Sequence, residues 1–538
     1  MNKEDLLNKI HGGLIVSCQA EGDEPLNSAP ILTALSLAAI RGGAVAIRAE
    51  RPGNIIEMKK HVHVPLIGLF KQKHDNSDVY ITPTLKEALA IIDAGADILA
   101  LDATSRPRPN QENLITIVNE VKQRSAVLLM ADVATLEEGL NAAEMGFDLI
   151  GTTLSGYTAT TAAKAASDQP DFELITALVA RLGHRIPIIA EGRIWTAEDA
   201  YEALRRGAFA VVIGTAITRP TIVTRKIVAQ IEKFRQLQDS IAVGVDLGGT
   251  KTAIGLVSFQ GAVKTKKIIS SNWDGGTKQV IGDLISGINR IIGSGDKPIA
   301  AIGIAASGRV NPEHGVVFDG VPLANDYFGY PIQEQISNAT GLPVSIENDA
   351  NAAAYAEYSI RKDRPPQRLV FVTIGTGIGG GIMIDGKLLR GTGNAGEIGH
   401  ICIEHNGRKC RCGRRGCLET YVSRKLLEQE IQNQLPKIGI ASLALTTDTI
   451  IELIRSNHPQ VMKIFYRQMD YLASGLETIF NMIEPDLVVL GGELSRLENI
   501  LIDSLQKRIL RPIPMTPSKL GNTAGMIGAA LLAIENLH

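Results

Sequence analysis

His400, Cys410, Cys412 and Cys417 stand in the pattern H-x9-C-x-C-x4-C, inside the stretch GHICIEHNGRKCRCGRRGCLE at 399–419. Four nitrogen and sulfur donors this close, with Gly413 and Gly416 to turn the chain, suit a closed tetrahedral zinc site. Such a site leaves no open position for substrate, so the ion has a structural task. The alternative is a redox-active thiol pair in the same loop. Cys402 is the odd thiol and is expected to pack; Cys18, far away in sequence, reads as an ordinary small residue. Elsewhere, IENDANAAAYAE puts Asp349 behind an apolar run and at the head of a helix. A carboxylate there can act as a general base toward a hydroxyl, and a helix N-terminus favours its charge. The plainer role, capping the helix, is open to both Asn348 and Asp349.

The elements that position these groups fall into two halves. In the first, short apolar runs recur: GLIVSCQ, AVAIRAE, PLIGLFK, DILALDA, AVLLMAD, FDLIGTT, PIIAEGR and AVVIGTA. Between them lie segments such as TLKEALAIIDAGA and TAEDAYEALRRGA, apolar at helical spacing and closed by glycine. This alternation predicts a (β/α)8 barrel, whose chemistry sits where the strands end. Those ends carry Gln19, Arg48, Lys71, Asp102, Asp132, Thr152, Thr153, Glu191, Arg193, Gly214 and Thr215. EGR at 191–193 and GTAITRP at 214–220 predict a phosphate cradle of backbone N–H groups, with Arg219 as a clamp. Lys71 and Glu191 are expected to face each other across the mouth as a proton-transfer pair.

The second half begins near residue 240 without a Gly/Ser-rich linker. Two glycine-turned hairpins, VGVDLGGTKTAIGLV at 243–257 and VFVTIGTGIGGGIMIDGKLL at 370–389, point to an internal duplication. Each offers backbone N–H groups to an anion, and together they would pinch the phosphates of a nucleotide.

Composition sets the frame. The chain has 538 residues, 45% hydrophobic and 21% charged, with a formal net charge of −2. It is too long for one ordinary core, and the charge balance gives no reason to expect nucleic acid or a membrane surface as partner. The N-terminus lacks the pattern of a signal peptide, and no apolar run is long enough to span a bilayer. A cytoplasmic location with reduced thiols is expected.

Two resemblances sharpen these expectations. The barrel motifs, notably AIRAE, PLIGLFK, MADVATLEEG, IGTTLSGYT, PIIAEGRI and VVIGTAITRP, resemble N-acetylmannosamine-6-phosphate 2-epimerases over residues 1–232. The resemblance implies inversion at C2 of a phosphorylated amino sugar without an organic cofactor. It implies that Lys71 moves the C2 proton and Glu191 assists ring opening or proton transfer. Arg48 and Asp132, with Gln19, would orient the sugar, while Arg193, Gly214 and Arg219 would hold the phosphate.

Residues 241–538 resemble actin-like sugar kinases of the family that groups repressors, open reading frames and kinases. DLGGTK, ENDAN, TIGTGIGGGIMIDGKLLRGTGNAGEIGH, CRCGRRGCLE and DLVVLGGEL carry the likeness. It implies a two-lobed ribonuclease H-like fold using ATP, magnesium and a structural zinc, with Asp349 as catalytic base. Asn348, Asp349, Glu397, His400 and Glu419 would hold sugar hydroxyls, with Gly308 and Arg309 closing the N-acetyl side. Asp246 would meet the magnesium ion; Gly248, Gly249, Thr250, Lys251, Gly375, Thr376 and Gly377 the phosphates; Gly491 and Gly492 the adenosine. The fusion favours N-acetylmannosamine as the kinase substrate, because its 6-phosphate is what such a barrel epimerises. A glucose or N-acetylglucosamine kinase joined to another phosphosugar isomerase, or a sugar-sensing regulator with one inactive half, are the alternatives. Both resemblances imply a homo-oligomer, a dimer or larger.

Overall fold

A computed structural model describes residues 2–295, 297–361, 363–434 and 445–537. The chain divides into two compact units, Met1–Ile231 and Glu232–His538. Among the described residues, no helix is long and apolar enough to cross a membrane.

The first unit is a closed parallel barrel of eight strands in sequential order, β1 pairing with β8. The strands are β1 Leu14–Cys18, β2 Ala46–Glu50, β3 Leu66–Leu69, β4 Ile98–Asp102, β5 Leu128–Asp132, β6 Leu149–Gly151, β7 Ile188–Glu191 and β8 Ala210–Ile213. Each lies within one of the apolar runs read from the sequence. Ile15, Ile67, Leu69, Ile98, Met130, Ile189 and Val212 fill the interior, so the barrel is a packed core open for chemistry only at its rim. Three helices after odd-numbered strands start with the same device, a threonine exchanging hydrogen bonds with an acid three residues on. Thr135 accepts from the Glu138 N–H at 3.3 Å while Glu138 accepts from the Thr135 N–H at 3.1 Å. Thr84 with Glu87 and Thr196 with Asp199 repeat this capping box. The boxes fix where each rim loop must end.

The second unit contains two five-stranded sheets of one topology. The first runs β11-β10-β9-β12-β15 and the second β18-β17-β16-β19-β20. Their strands are β9 Ile241–Leu247, β10 Lys251–Ser258, β11 Val263–Ser270, β12 Ile299–Ala306, β15 Val344–Asn348, β16 Arg368–Ile374, β17 Ile378–Ile384, β18 Lys387–Leu388, β19 Leu487–Gly491 and β20 Met515–Pro517; β13 Arg309–Asn311 and β14 Val316–Asp319 form a separate hairpin. In each sheet an antiparallel hairpin precedes two parallel strands, so the duplication legible in two glycine turns extends to both whole sheets.

Small residues let the layers close. Helices Asp349–Ser359 and Ala524–Glu535 pack so tightly that a Cβ on Gly528 would fall 1.7 Å from the Ala352 carbonyl oxygen. The edge strand β11 differs from its neighbours: Lys264, Lys266, Lys267 and Ile268 are all exposed.

Candidate active sites

Strand alternation decides what enters the barrel. On β2, Ala46 packs with the interior residues, and Arg48 and Glu50 follow it inward at every second position. The Arg48 side chain is 1% exposed, and a buried cation must be paired. It donates to both Asp132 oxygens, at 2.6 and 3.1 Å, and to Glu191 Oε2 at 2.8 Å. Thr153 Oγ1 lies 2.6 Å from Asp132 Oδ1 and 3.1 Å from Glu191 Oε2. One cation therefore serves two buried carboxylates. Burial pushes Glu191 up to about 7, with Arg48 opposing and Asp132 reinforcing the rise. A carboxyl poised there can hold or release a proton near neutrality.

Lys71 and Glu191 line one rim cavity of 430 Å³ but share no hydrogen bond or ion pair. Both border one mouth, as expected, without touching each other. Glu191 is taken by Arg48, while Lys71 Nζ sits 2.5 Å from Glu21 Oε1 and 3.6 Å from Glu50 Oε2. Gln19, Arg193, Gly214 and Arg219 line the same cavity. Gln19 donates to Ser17 Oγ at 2.9 Å. Arg193 has a left-handed φ of 54° and is fastened by its guanidinium to the Gln169 and Ser155 carbonyls, at 2.7 and 2.6 Å. That leaves its buried Nη2 without a hydrogen-bond partner among the described residues. Gly214 opens the short helix Thr215–Thr218, and Arg219, expected as a free clamp, pairs with Glu24 Oε1 at 2.7 Å.

In the second unit the helix at 349 divides its labour. Asn348 takes the cap, accepting from the Ala350 and Asn351 N–H groups at 3.0 Å each. Its Nδ2 donates to the Gly308 carbonyl at 2.9 Å and to Asp349 Oδ1 at 3.1 Å. Asp349 Oδ1 also accepts from the Ala350 N–H, at 2.8 Å, while its Oδ2 accepts from Ser307 Oγ at 3.2 Å. Burial drives the Asp349 carboxyl above its usual range, outweighing the Ala350 N–H and Ser307. Asp246, on β9, is pushed up to about 7 by burial and then by the charge of Asp349.

The turns of the two hairpins carry Gly248, Gly249, Thr250 and Lys251, and Gly375, Thr376 and Gly377. None of these glycines is left-handed, and nothing lies within 4 Å of where a Gly375 Cβ would be. Backbone strain does not require a glycine at 375; the bare backbone faces open space. At the end of β19, a Cβ on Gly491 would strike the Phe371 ring, and Gly492 has a left-handed φ of 78°. Arg309 Nη1 meets Asp319 Oδ2 at 2.5 Å and its Nε lies 3.6 Å from Glu397 Oε1.

The donor atoms of His400, Cys410, Cys412 and Cys417 all lie within 4.8 Å of one another. Cys410 Sγ is 3.7 Å from His400 Nδ1, and the sulfurs of Cys412 and Cys417 are 3.6 Å apart. A zinc tetrahedron with bonds of about 2.0–2.3 Å has edges of about 3.6–3.8 Å, so the donor set fits such an ion. His400 Nε2 faces Glu397 Oε2 at 3.9 Å. Glu419, expected in the sugar cleft, instead accepts from Cys410 Sγ at 3.0 Å, while its other oxygen borders Gly377. Cys402 is exposed and stands outside the donor group, which corrects its expected packing.

Sequence reasoning missed Glu21, Glu50, Ser307 and Asp319. Glu50 had a signal, since a residue two after an inward arginine on a strand must also point inward. Glu21 and Ser307 depend on loop paths that no local pattern encodes, and Asp319 on the pairing of β14 with β13.

Two family models match the chain: "ROK family" over residues 242–536, and "Putative N-acetylmannosamine-6-phosphate epimerase" over residues 32–233. A bifunctional enzyme NanE/NanK of Brucella melitensis biotype 1 is 33% identical over 98% of this chain and 98% of its own. A putative N-acetylmannosamine-6-phosphate 2-epimerase of Caldanaerobacter subterraneus subsp. tengcongensis is 47% identical, across 43% of this chain and 96% of its own. Among solved structures, a ROK family glucokinase from Streptomyces griseus, in complex with glucose and AMPPNP, has a TM-score of 0.50 at 28% identity, covering 55% of this chain and all of that one. The chain belongs to the ROK family through its second unit and, over its whole length, to the family of bifunctional NanE/NanK enzymes.

Proposed function

We propose that the chain performs two consecutive reactions of amino-sugar breakdown. Residues 241–538 transfer a phosphoryl group from ATP to the 6-hydroxyl of N-acetylmannosamine. Residues 1–232 epimerise the product at C2, giving N-acetylglucosamine 6-phosphate. The observation that carries this reading is the full-length match to bifunctional relatives, joined to a separate acid/base constellation in each unit.

In the kinase, Asp349 takes the proton from the 6-hydroxyl as the oxygen attacks the γ-phosphorus. Its raised affinity for a proton suits that task, and the phosphates need mainly positioning. Asn348, Glu397 and His400 Nε2 hold the sugar, with Gly308 and Arg309 at the N-acetyl side. The turns at 248–251 and 375–377 offer backbone N–H groups to the phosphates, and Gly491 and Gly492 flank the adenosine. Asp246 would hold magnesium, which when bound neutralises charge on the transferring phosphate. His400, Cys410, Cys412 and Cys417 would hold a structural zinc that fixes the loop bearing Glu397 and Glu419. Glu419 then acts from between the metal group and the second turn.

In the epimerase, the C2 proton becomes removable once the ring opens and C2 lies α to a carbonyl. Lys71 and Glu191 are the proton-transfer pair, Arg48 and Asp132 hold Glu191, and Gln19 contacts the sugar. Gly214, Arg219 and the unpaired Arg193 Nη2 receive the phosphate, a remote handle whose binding positions the reacting carbon. The free thiols suit a cytoplasmic enzyme, and a homo-oligomer is the expected state.

The test supplies purified protein with N-acetylmannosamine, ATP and magnesium. Wild type should yield ADP and N-acetylglucosamine 6-phosphate. Asp349→Asn should make no phosphosugar, and Lys71→Ala should stop at N-acetylmannosamine 6-phosphate. A wild type that phosphorylates glucose far better and leaves N-acetylmannosamine 6-phosphate untouched would refute the reading.

A further inference from the structure

Glu50 is a buried carboxylate that no step above uses. Its side chain is 0% exposed, and neither oxygen has a hydrogen-bond partner among the described residues. A fold rarely keeps such a group without a partner or a task. Strand β2 places it inward, one step closer to the rim than Arg48. Its Oε2 lies 3.6 Å from Lys71 Nζ and its Oε1 3.5 Å from Arg51 Nε.

Lys71 thus stands between two unlike carboxylates. Glu21 is half exposed, comes from the loop after β1, and holds Nζ in a hydrogen bond. Glu50 is sealed in the barrel and offers only its charge. Glu21 and Lys71 line the cavity that a sugar phosphate would fill, whereas the buried Glu50 is not part of its lining.

Resting on the epimerase reading, we propose that Glu50 is a positioning residue that keeps Lys71 Nζ at the reacting carbon. The other charged or titratable groups bearing on this pair are Glu21, Lys73, Tyr80 and Arg219 from the rim loops, Arg51 beside it, and Glu191 from β7. Among the described residues, Glu50 alone of the carboxylates within ion-pair distance of Lys71 is shielded from solvent screening, so its removal acts most strongly on the lysine.

The experiment measures kcat and KM of sugar-phosphate epimerisation for full-length wild type, Glu50→Gln, Glu50→Asp and Glu21→Gln. Kinase turnover of the same preparations, in which Glu50 takes no part, supplies the active concentration. Without the buried charge Nζ is left to Glu21 alone, so kcat of Glu50→Gln should fall by about tenfold or more with KM nearly unchanged. Glu50→Asp, which keeps the charge, should recover part of that loss, and Glu21→Gln should lose less than Glu50→Gln. A Glu50→Gln kcat within about twofold of wild type, or a Glu50→Asp no better than Glu50→Gln, would overturn the proposal. Should Glu50→Gln not fold, a Glu50→Asp kcat below that of Glu21→Gln does the same. A wild type that epimerises nothing at any pH would instead sink the epimerase reading itself.

Discussion

Arg48→Met tests the electrostatics of the barrel rim most directly. Methionine keeps an unbranched apolar stem but removes the cation serving Asp132 and Glu191, both of which stay buried. Removing one partner of a buried ion pair costs about 3–5 kcal/mol, because the other charge is stranded. For a unit of this size that lowers the melting temperature by about 6–20 °C. The sign of its pH dependence follows from Glu191, which folded holds its proton up to about 7. An acid with a raised folded-state pKa destabilises progressively as pH climbs through its unfolded value toward the folded one. Arg48 opposes that rise, so its removal pushes Glu191 further up and the loss should be larger at pH 8 than at pH 5. The chain's two tryptophans make the assay specific, since Trp195 lines the rim cavity and Trp273 lies in the second unit. In a Trp273→Phe background, urea unfolding followed by fluorescence reports the barrel alone. A loss under about 1 kcal/mol at pH 8 would refute the claim that Arg48 neutralises this cluster.

Two further outcomes are expected. Asp246→Asn should abolish kinase turnover yet stabilise the nucleotide-free second unit. The wild-type carboxyl is raised from 3.8 to about 7, so the gain should reach roughly 4 kcal/mol at pH 8 and fade as pH falls from 7 toward 4; denaturant titration at several pH values checks this. Purified protein should carry one zinc per chain, and Cys412→Ser should lose the metal and kinase turnover while epimerase turnover persists, read by metal analysis and both assays.

Periodicity made the barrel legible. Each of the eight apolar runs became a strand because a strand buried on both sides leaves an uninterrupted apolar signature. Residues at strand ends were legible for the same reason, and Arg48, Asp132 and Glu191 do converge. Pairing between them was not, because it depends on which buried cation each carboxylate needs. Arg48 claims Glu191 from the barrel interior, and Lys71 turns to Glu21, whose loop path no local pattern reveals. In the second unit, capping and catalysis competed for Asn348 and Asp349 in the sequence; the folded backbone gives the cap to Asn348. The metal-ligand spacing was legible outright, whereas the turn of Glu419 toward Cys410 depends on side-chain direction within the loop.

The lysines of β11 also bear on how the chain meets copies of itself. An edge strand exposes unpaired backbone groups, and Ile268 and Ile269 would make this one an inviting template for a second copy of itself. Lys264, Lys266 and Lys267 turn that invitation into mutual repulsion, because an identical strand brings like charges alongside. The edge thus acts as a gatekeeper against stacking of one copy on another.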